Sequence, residues 1–210
     1  AMKKRGHHVT AFFKGEEGCP VMPDWAGAEV DREVLVPLHL PFRQFTSDCD
    51  IIVAGWIYQL HEMHGAETKV VYWEQGHESL FGDIPDAASI TGIRNSLEPL
   101  YKNGIPIVSV SEFVSKVLKV RYAIDSKVIV NGIDTESFKP LEDKKDNQEF
   151  TILLVGNPNH RFKSFKDALK VLELAWNRGH RFKVKWVCQS MPAYQGPFPI
   201  EYIVNPPQSG

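Results

Sequence analysis

The chain has 210 residues, 43% hydrophobic and 24% charged, with a formal net charge of −2, so it carries no broad basic field of the kind that recruits nucleic acid. Its three cysteines, Cys19, Cys49 and Cys188, lie far apart with no C-x-x-C pair, which argues against a disulfide framework or zinc knuckle and fits a reducing, cytoplasmic compartment. No apolar run approaches the roughly 18–20 residues of a membrane span, and the basic start at Lys3, Lys4 and Arg5 leads into no apolar signal core.

Short β-rich runs then alternate with helical patterns along the chain. Residues 9–13 read as a strand, entered through Gly6 after what resembles the last turn of a helix. A loop rich in Gly and Pro follows (Gly15, Gly18, Pro20, Pro23, Gly27), and residues 34–37 form a second short strand. Residues 49–54 form a third strand, nearly all apolar, as expected where helices cover both faces. Strands at 69–73, 106–110 and 127–130 continue the series. Between them the pattern predicts a helix from Ile90 to Lys102, stopped by Asn103-Gly104, and another capped by Ser111 with Phe113, Val117 and Val120 as its apolar positions.

The charged, apolar-poor stretch at residues 139–148 is the best domain boundary. After it the pattern restarts with a strand at 150–155, a turn at 157–161 and a helix at 163–178. One face of that helix carries Phe165, Ala168, Leu169, Leu172, Ala175 and Trp176. Strands at 182–187 and from 201 follow. The fold class is therefore α/β, with two Rossmann-like parallel-sheet units, the second incomplete: residues 1–140, a linker at 141–149, and residues 150–210.

Three segments could carry chemistry. Gly76 and His77 follow a strand directly, where open parallel sheets hold their ligands; a loop histidine bonded to its neighbours is the plainer reading. Asn131-Gly132, with Asp134 just beyond, predicts a tight turn with positive φ. From Gly156 through Asn157, Arg161 and Lys163, a strand closes on glycine and a helix opens beside two cations, a pattern suited to a diphosphate. It is neither a Walker A nor a G-x-G-x-x-G sequence. His61-Glu62-Met63-His64 is one residue short of the zinc-protease H-E-x-x-H motif and reads as a helix-surface pair.

Taken in order, these segments resemble the family 4 (group 1) glycosyltransferases of the GT-B type. The resemblance rests on Lys4-Arg5-Gly6-His7-His8-Val9-Thr10, on Asp50-Ile51-Ile52-Val53 and on Val108-Ser109-Val110-Ser111-Glu112-Phe113. It rests most of all on Val128-Ile129-Val130-Asn131-Gly132-Ile133-Asp134 with Phe138 and Pro140, and it extends through Ile152 to Lys163. The resemblance implies a retaining transferase that moves a sugar from a nucleotide-diphosphate donor to a glycan or lipid-linked acceptor, in surface glycan assembly. No metal and no further cofactor is implied.

By the same resemblance His77 lies near the transferred sugar as the catalytic residue. Gly156, Asn157, Arg161, Lys163 and Gln189 bind the donor, and Asn131, Gly132 and Asp134 form the interdomain turn. Asn157 stands where the family usually has Arg, leaving Arg161 as the substitute, Ser164 stands where Gly is usual, and Cys188-Gln189 replaces a glycine-containing turn. The implied setting is the cytoplasm, with peripheral contact at the inner face of the cell membrane and scope for homo-oligomers. Family segments are also expected ahead of Ala1 and beyond Gly210, including a central strand. The resulting gap in the sheet is expected to be closed by rearrangement, by another chain or by a further segment. The alternative is a non-catalytic GT-B-like relic or interaction module.

Overall fold

In a computed structural model, the described residues are 2–16, 18, 30–81, 87–136, 138–140, 149–160 and 163–206. The chain divides into two compact units, Ala1–Gly132 and Ile133–Gly210. Most of the expected linker, like Cys19 and Arg161, lies outside the described residues. All the described sheets are parallel, as the alternation of β-rich and helical runs implies. Among the described residues no helix is long and apolar enough to cross a membrane.

The first unit holds two sheets. One pairs β1 (Thr10–Gly15) with β2 (Arg32–Pro37). The other has the order β3 (Ile51–Ala54), β4 (Lys69–Glu74), β5 (Ile107–Ser109), β6 (Lys127–Val128). Its helices are α1 (Gln59–Met63), α2 (Glu78–Phe81), α3 (Ala87–Tyr101) and α4 (Glu112–Tyr122). Ala54, Tyr72 and Ile107 from the strands meet Leu60, Leu80, Leu97 and Leu118 from the four helices in one buried core. A smaller core around Val36, Phe42 and Met63 draws in Phe12 and Ile52, so the two sheets share apolar packing. Lys14 and Glu62 reinforce it at 2.9 Å, and Glu62 also accepts the N–H of Phe42.

No backbone ladder joins β1 to β3; residues 9–13 and 50–54 instead line one cavity of about 740 Å³. The single continuous sheet of an open parallel fold is here two sheets with facing edges. The expectation that β3 is covered on both faces is corrected: Ile51 and Val53 are more than half exposed, while Ile52 and Ala54 turn inward. An apolar strand thus has only one covered face.

The α4 stripe is corrected as well. Ser111 caps the helix, accepting the N–H of Val114 at 3.2 Å, but Val114, Leu118 and Tyr122 face the core while Phe113 and Val120 face solvent. Of the expected set Val117 does pack against the core, which otherwise takes the neighbouring residues at the same helical spacing. The last predicted strand of this unit shortens to two residues, and neither Asn131 nor Gly132 has a positive φ. The chain leaves the sheet there without the left-handed residue that the expected turn requires.

The second unit is smaller. Its sheet has the order β7 (Thr151–Val155), β8 (Lys183–Cys188), β9 (Ile200–Val204), covered on one face by α5 (Phe165–Asn177). Strand alternation in β8 buries Val184, Trp186 and Cys188. Phe165 and Leu169 of α5 pack into the same core, with Leu172, Ala175 and Trp176 against it, as the sequence pattern predicts.

Leu118 is fully buried and Val120 three-quarters exposed. Leu118→Ala is therefore expected to cost about 2–5 kcal/mol, and Val120→Ala to stay within about 0.5 kcal/mol of wild type. Urea unfolding of the two variants checks which stripe faces the core.

Candidate functional site

At the carboxyl end of β4, alternation directs Tyr72 and Glu74 to the core side of the strand. Glu74 is 1% exposed. A carboxylate that far from water is tolerated only when donors surround it, and three do. Tyr72 donates its hydroxyl to Oε2 at 3.0 Å, Tyr101 donates to the same oxygen at 2.5 Å, and the N–H of Gly76 donates to Oε1 at 2.7 Å. Burial first, and then the charge of Glu74, pushes both phenols far above their ordinary range, so they remain protonated donors.

Gly76 is required at its position. Its φ is +85°, and a Cβ there would sit 2.5 Å from the Phe81 ring. The chain turns there and delivers His77, which is 9% exposed. His77 precedes α2 and caps it, its Nδ1 accepting the N–H of Leu80 at 3.2 Å. A backbone N–H can only donate, so in the neutral ring Nε2 carries the proton and donates to the Tyr101 hydroxyl at 3.0 Å. The hydrogen bonds then run His77 to Tyr101 to Glu74.

With both ring nitrogens engaged inside the fold, the imidazole fixes the loop. It would reach a ligand through a ring face, or after giving up an internal bond. Trp56, at the end of β3, has its ring centroid 6.2 Å from that of His77.

The sequence reading found His77 but not Glu74, Tyr72 or Tyr101. A carboxylate ending the apolar run Val70-Val71-Tyr72-Trp73 was the available signal for Glu74. Tyr101 stands 27 residues further along, and no local pattern marks it.

In the second unit, Gly156 leaves β7 with φ +136°. Its N–H pairs with the Val187 carbonyl at 2.9 Å, and its own carbonyl accepts the Trp186 indole N–H at 3.2 Å. Asn157 closes the next turn, its side-chain oxygen accepting the N–H of Asn159. Lys163 is exposed, and its Cγ lies 4.0 Å from where a Cβ on Gly156 would stand. Ser164 follows in a left-handed conformation and makes no side-chain cap, so α5 opens with its carbonyl accepting from Asp167 and Ala168. Gln189 is exposed directly after β8, the strand paired with β7.

The structure thus brings Gly156, Asn157 and Lys163 into one strand–loop–helix turn, with Gln189 just past the end of the neighbouring strand. Asn131 and Gly132 end the first unit, and Asp134 lies at the start of the second, its side chain accepting the N–H of Glu136. Among the described residues no group of three or more His, Cys, Asp or Glu side chains is placed to hold a metal ion.

Tyr101→Phe leaves Glu74 and His77 each short of a partner and is expected to cost about 2 kcal/mol at neutral pH. The phenols of the unfolded chain ionise near about pH 10, while the folded values lie higher. Their contribution to stability is therefore complete below about pH 10 and is lost as pH rises beyond it. Tyr101→Phe is expected to flatten that alkaline loss. Urea midpoints measured on both sides of the window check the sign.

No protein-family model matches the chain and no curated protein matches it.

Proposed function

We propose that the chain forms the acceptor-side unit and the first part of the donor-side unit of a retaining, nucleotide-sugar-dependent glycosyltransferase. The observation that supports this best is the turn from β7 into α5. There Gly156 permits close backbone approach, Lys163 supplies a cation beside it, and a helix of 13 residues begins. That combination suits the diphosphate of a donor, whose charge grows as the sugar departs. Arg161 would share this task, and Gln189 would reach the donor from the next strand end.

In the first unit the acceptor, a glycan or lipid-linked glycan, would lie at the carboxyl ends of β3 to β5, with His77 shaping the loop that faces it. The residues named need no metal to bind a diphosphate. A lipid-linked acceptor would bring the protein to the inner face of the cell membrane as a peripheral visitor.

A second reading, an interaction module without transfer chemistry, is supported by the cavity between β1 and β3. Two strand edges opening on one space form a template for pairing with an added strand.

Calorimetric titration with UDP, GDP, UDP-glucose and GDP-mannose tests the first reading. At least one is expected to bind, and to bind equally well with EDTA present. Lys163→Ala is expected to weaken that binding by about tenfold, the loss of one charge-assisted phosphate contact. Failure of all four to bind at millimolar concentration, or an undiminished affinity in Lys163→Ala, would overturn the donor-site reading.

A further inference from the structure

Three successive strands of the first unit end in segments that carry rings: Trp56 and Tyr58 after β3, His77 and Phe81 after β4, Phe113 after β5. Trp56 is 47% exposed and Tyr58 51%. Single exposed apolar residues are ordinary on a protein surface. Two large rings together at the carboxyl edge of a parallel sheet, where such folds hold their ligands, are not.

The local backbone explains how they stay exposed. Ile57 stands between them and is 1% exposed, a core residue that anchors the turn. With Ile57 pointing in, its two neighbours point out. Gln59, the first residue of α1, then locks the turn, its side-chain oxygen accepting the N–H groups of both Gly55 and Trp56 at 3.0 Å. The rings are therefore presented by a fixed backbone, which lowers the entropy lost when a ligand is bound.

The rings do not use each other up. Trp56 and Tyr58 have centroids 5.8 Å apart at an interplanar angle of 48°, and Trp56 meets His77 at 6.2 Å and 58°. Rings tilted in this way touch along edges and leave open faces. An open indole face favours a ligand with a flat, weakly polar C–H surface and hydroxyls around its rim, which stay in water. Glu74, at the end of the neighbouring strand, is buried and already accepts three hydrogen bonds, so it offers a cation no partner.

We propose that Trp56 and Tyr58 form a stacking subsite for a neutral pyranose ring of the acceptor. This rests on the acceptor-side role given above to the first unit. Trp56 supplies the main platform, Tyr58 the second wall, and Gln59 acts as the positioning residue that holds the turn.

The test is nuclear magnetic resonance on the ¹⁵N-labelled full chain titrated with maltose and with cellobiose, the Trp56 indole signal being assigned from Trp56→Phe. At least one disaccharide is expected to shift the Trp56 indole and the Gly55 amide in a saturable way, leaving the Trp176 indole unmoved. Trp56→Ala is expected to weaken binding by about tenfold, the scale of one aromatic contact, and Trp56→Phe to keep most of it. Gln59→Ala is expected to weaken binding less than Trp56→Ala. Unfolding curves of each variant, compared with wild type, separate lost binding from lost folding. If Trp56→Ala does not fold, the Trp56→Phe and Gln59→Ala affinities decide.

The proposal is overturned if neither sugar moves the Trp56 indole, if the Trp56 substitutions leave sugar affinity unchanged, or if adenosine or choline saturates the site while both sugars fail. A parallel titration with UDP-glucose separates this proposal from the one it rests on. Disaccharide binding at Trp56 with no nucleotide binding keeps the subsite and sinks the transferase reading; nucleotide binding with no disaccharide response does the reverse.

Discussion

A carboxylate sealed in an apolar interior must be met by donors, and Glu74 arranges the first unit around that requirement. Its three donors come from three separate pieces: Tyr72 from its own strand, Gly76 from the loop that follows, and Tyr101 from the last turn of α3. Each must be in place for the others to be useful, because a buried carboxylate missing one donor carries a desolvation cost with less to offset it. The end of β4, the course of the loop and the depth of α3 are therefore fixed together. His77 inherits its position from this arrangement. Its ring in turn holds α2, a helix of four residues that is too short to be stable on its own.

The second unit holds its loop by different means. Among the described residues no buried charge is involved there. Gly156 extends the β7–β8 ladder by one further bond through its N–H, and its carbonyl is taken by the Trp186 indole. Trp186 is itself almost fully buried and packs its ring 4.9 Å from that of Phe165, the first residue of α5. One aromatic side chain thus joins the strand end, the glycine turn and the start of the helix. A side chain on Gly156 would press on the same Phe165 ring, at 3.2 Å, and would be strained at that φ.

The strands were legible in the sequence because β-branched and aromatic runs bounded by Gly, Pro and Asn form strands in almost any context. The long face of α5 was legible because Phe165, Ala168, Leu169, Leu172, Ala175 and Trp176 fill one stripe, with only Val171 and Leu174 outside it. In α4 two stripes compete. Ser111 sets where the helix starts, but Phe113, Val117 and Val120 describe a face as apolar as Val114, Leu118 and Tyr122, and only packing against the sheet chooses between them. For β3, an apolar sequence reports that a strand can be buried on both sides, and Ile51 and Val53 show that this need not happen. At the sites, His77 and Gly156 were visible as residues placed just after strands. The Glu74–Tyr101 pair was not, since contacts between residues so far apart in sequence depend on the depth to which a helix docks, which no local spacing encodes.

Side-chain clamps on the backbone recur at the carboxyl ends of the strands. Beyond β3, Gln59 ties down Gly55 and Trp56; beyond β4, Glu74 ties down Gly76; beyond β5, Ser111 caps α4; beyond β7, Trp186 holds Gly156. None of these bonds is needed to form the hydrophobic cores, which are filled by residues within the strands and helices. A loop that only connected a strand to a helix would have no use for a buried carboxylate or a side-chain clamp, and loops without them are common. Fixing the backbone at these ends does have a use when a ligand must be met by groups already in position, because the ordering cost is then carried by folding and not by binding. The open apolar faces at Ile51 and Val53 and at Leu153 and Val155 carry no such clamps in either unit. Clamped backbone thus lies at the strand ends, with exposed rings at Trp56 and Tyr58 presented on it, while the open strand faces carry apolar side chains alone.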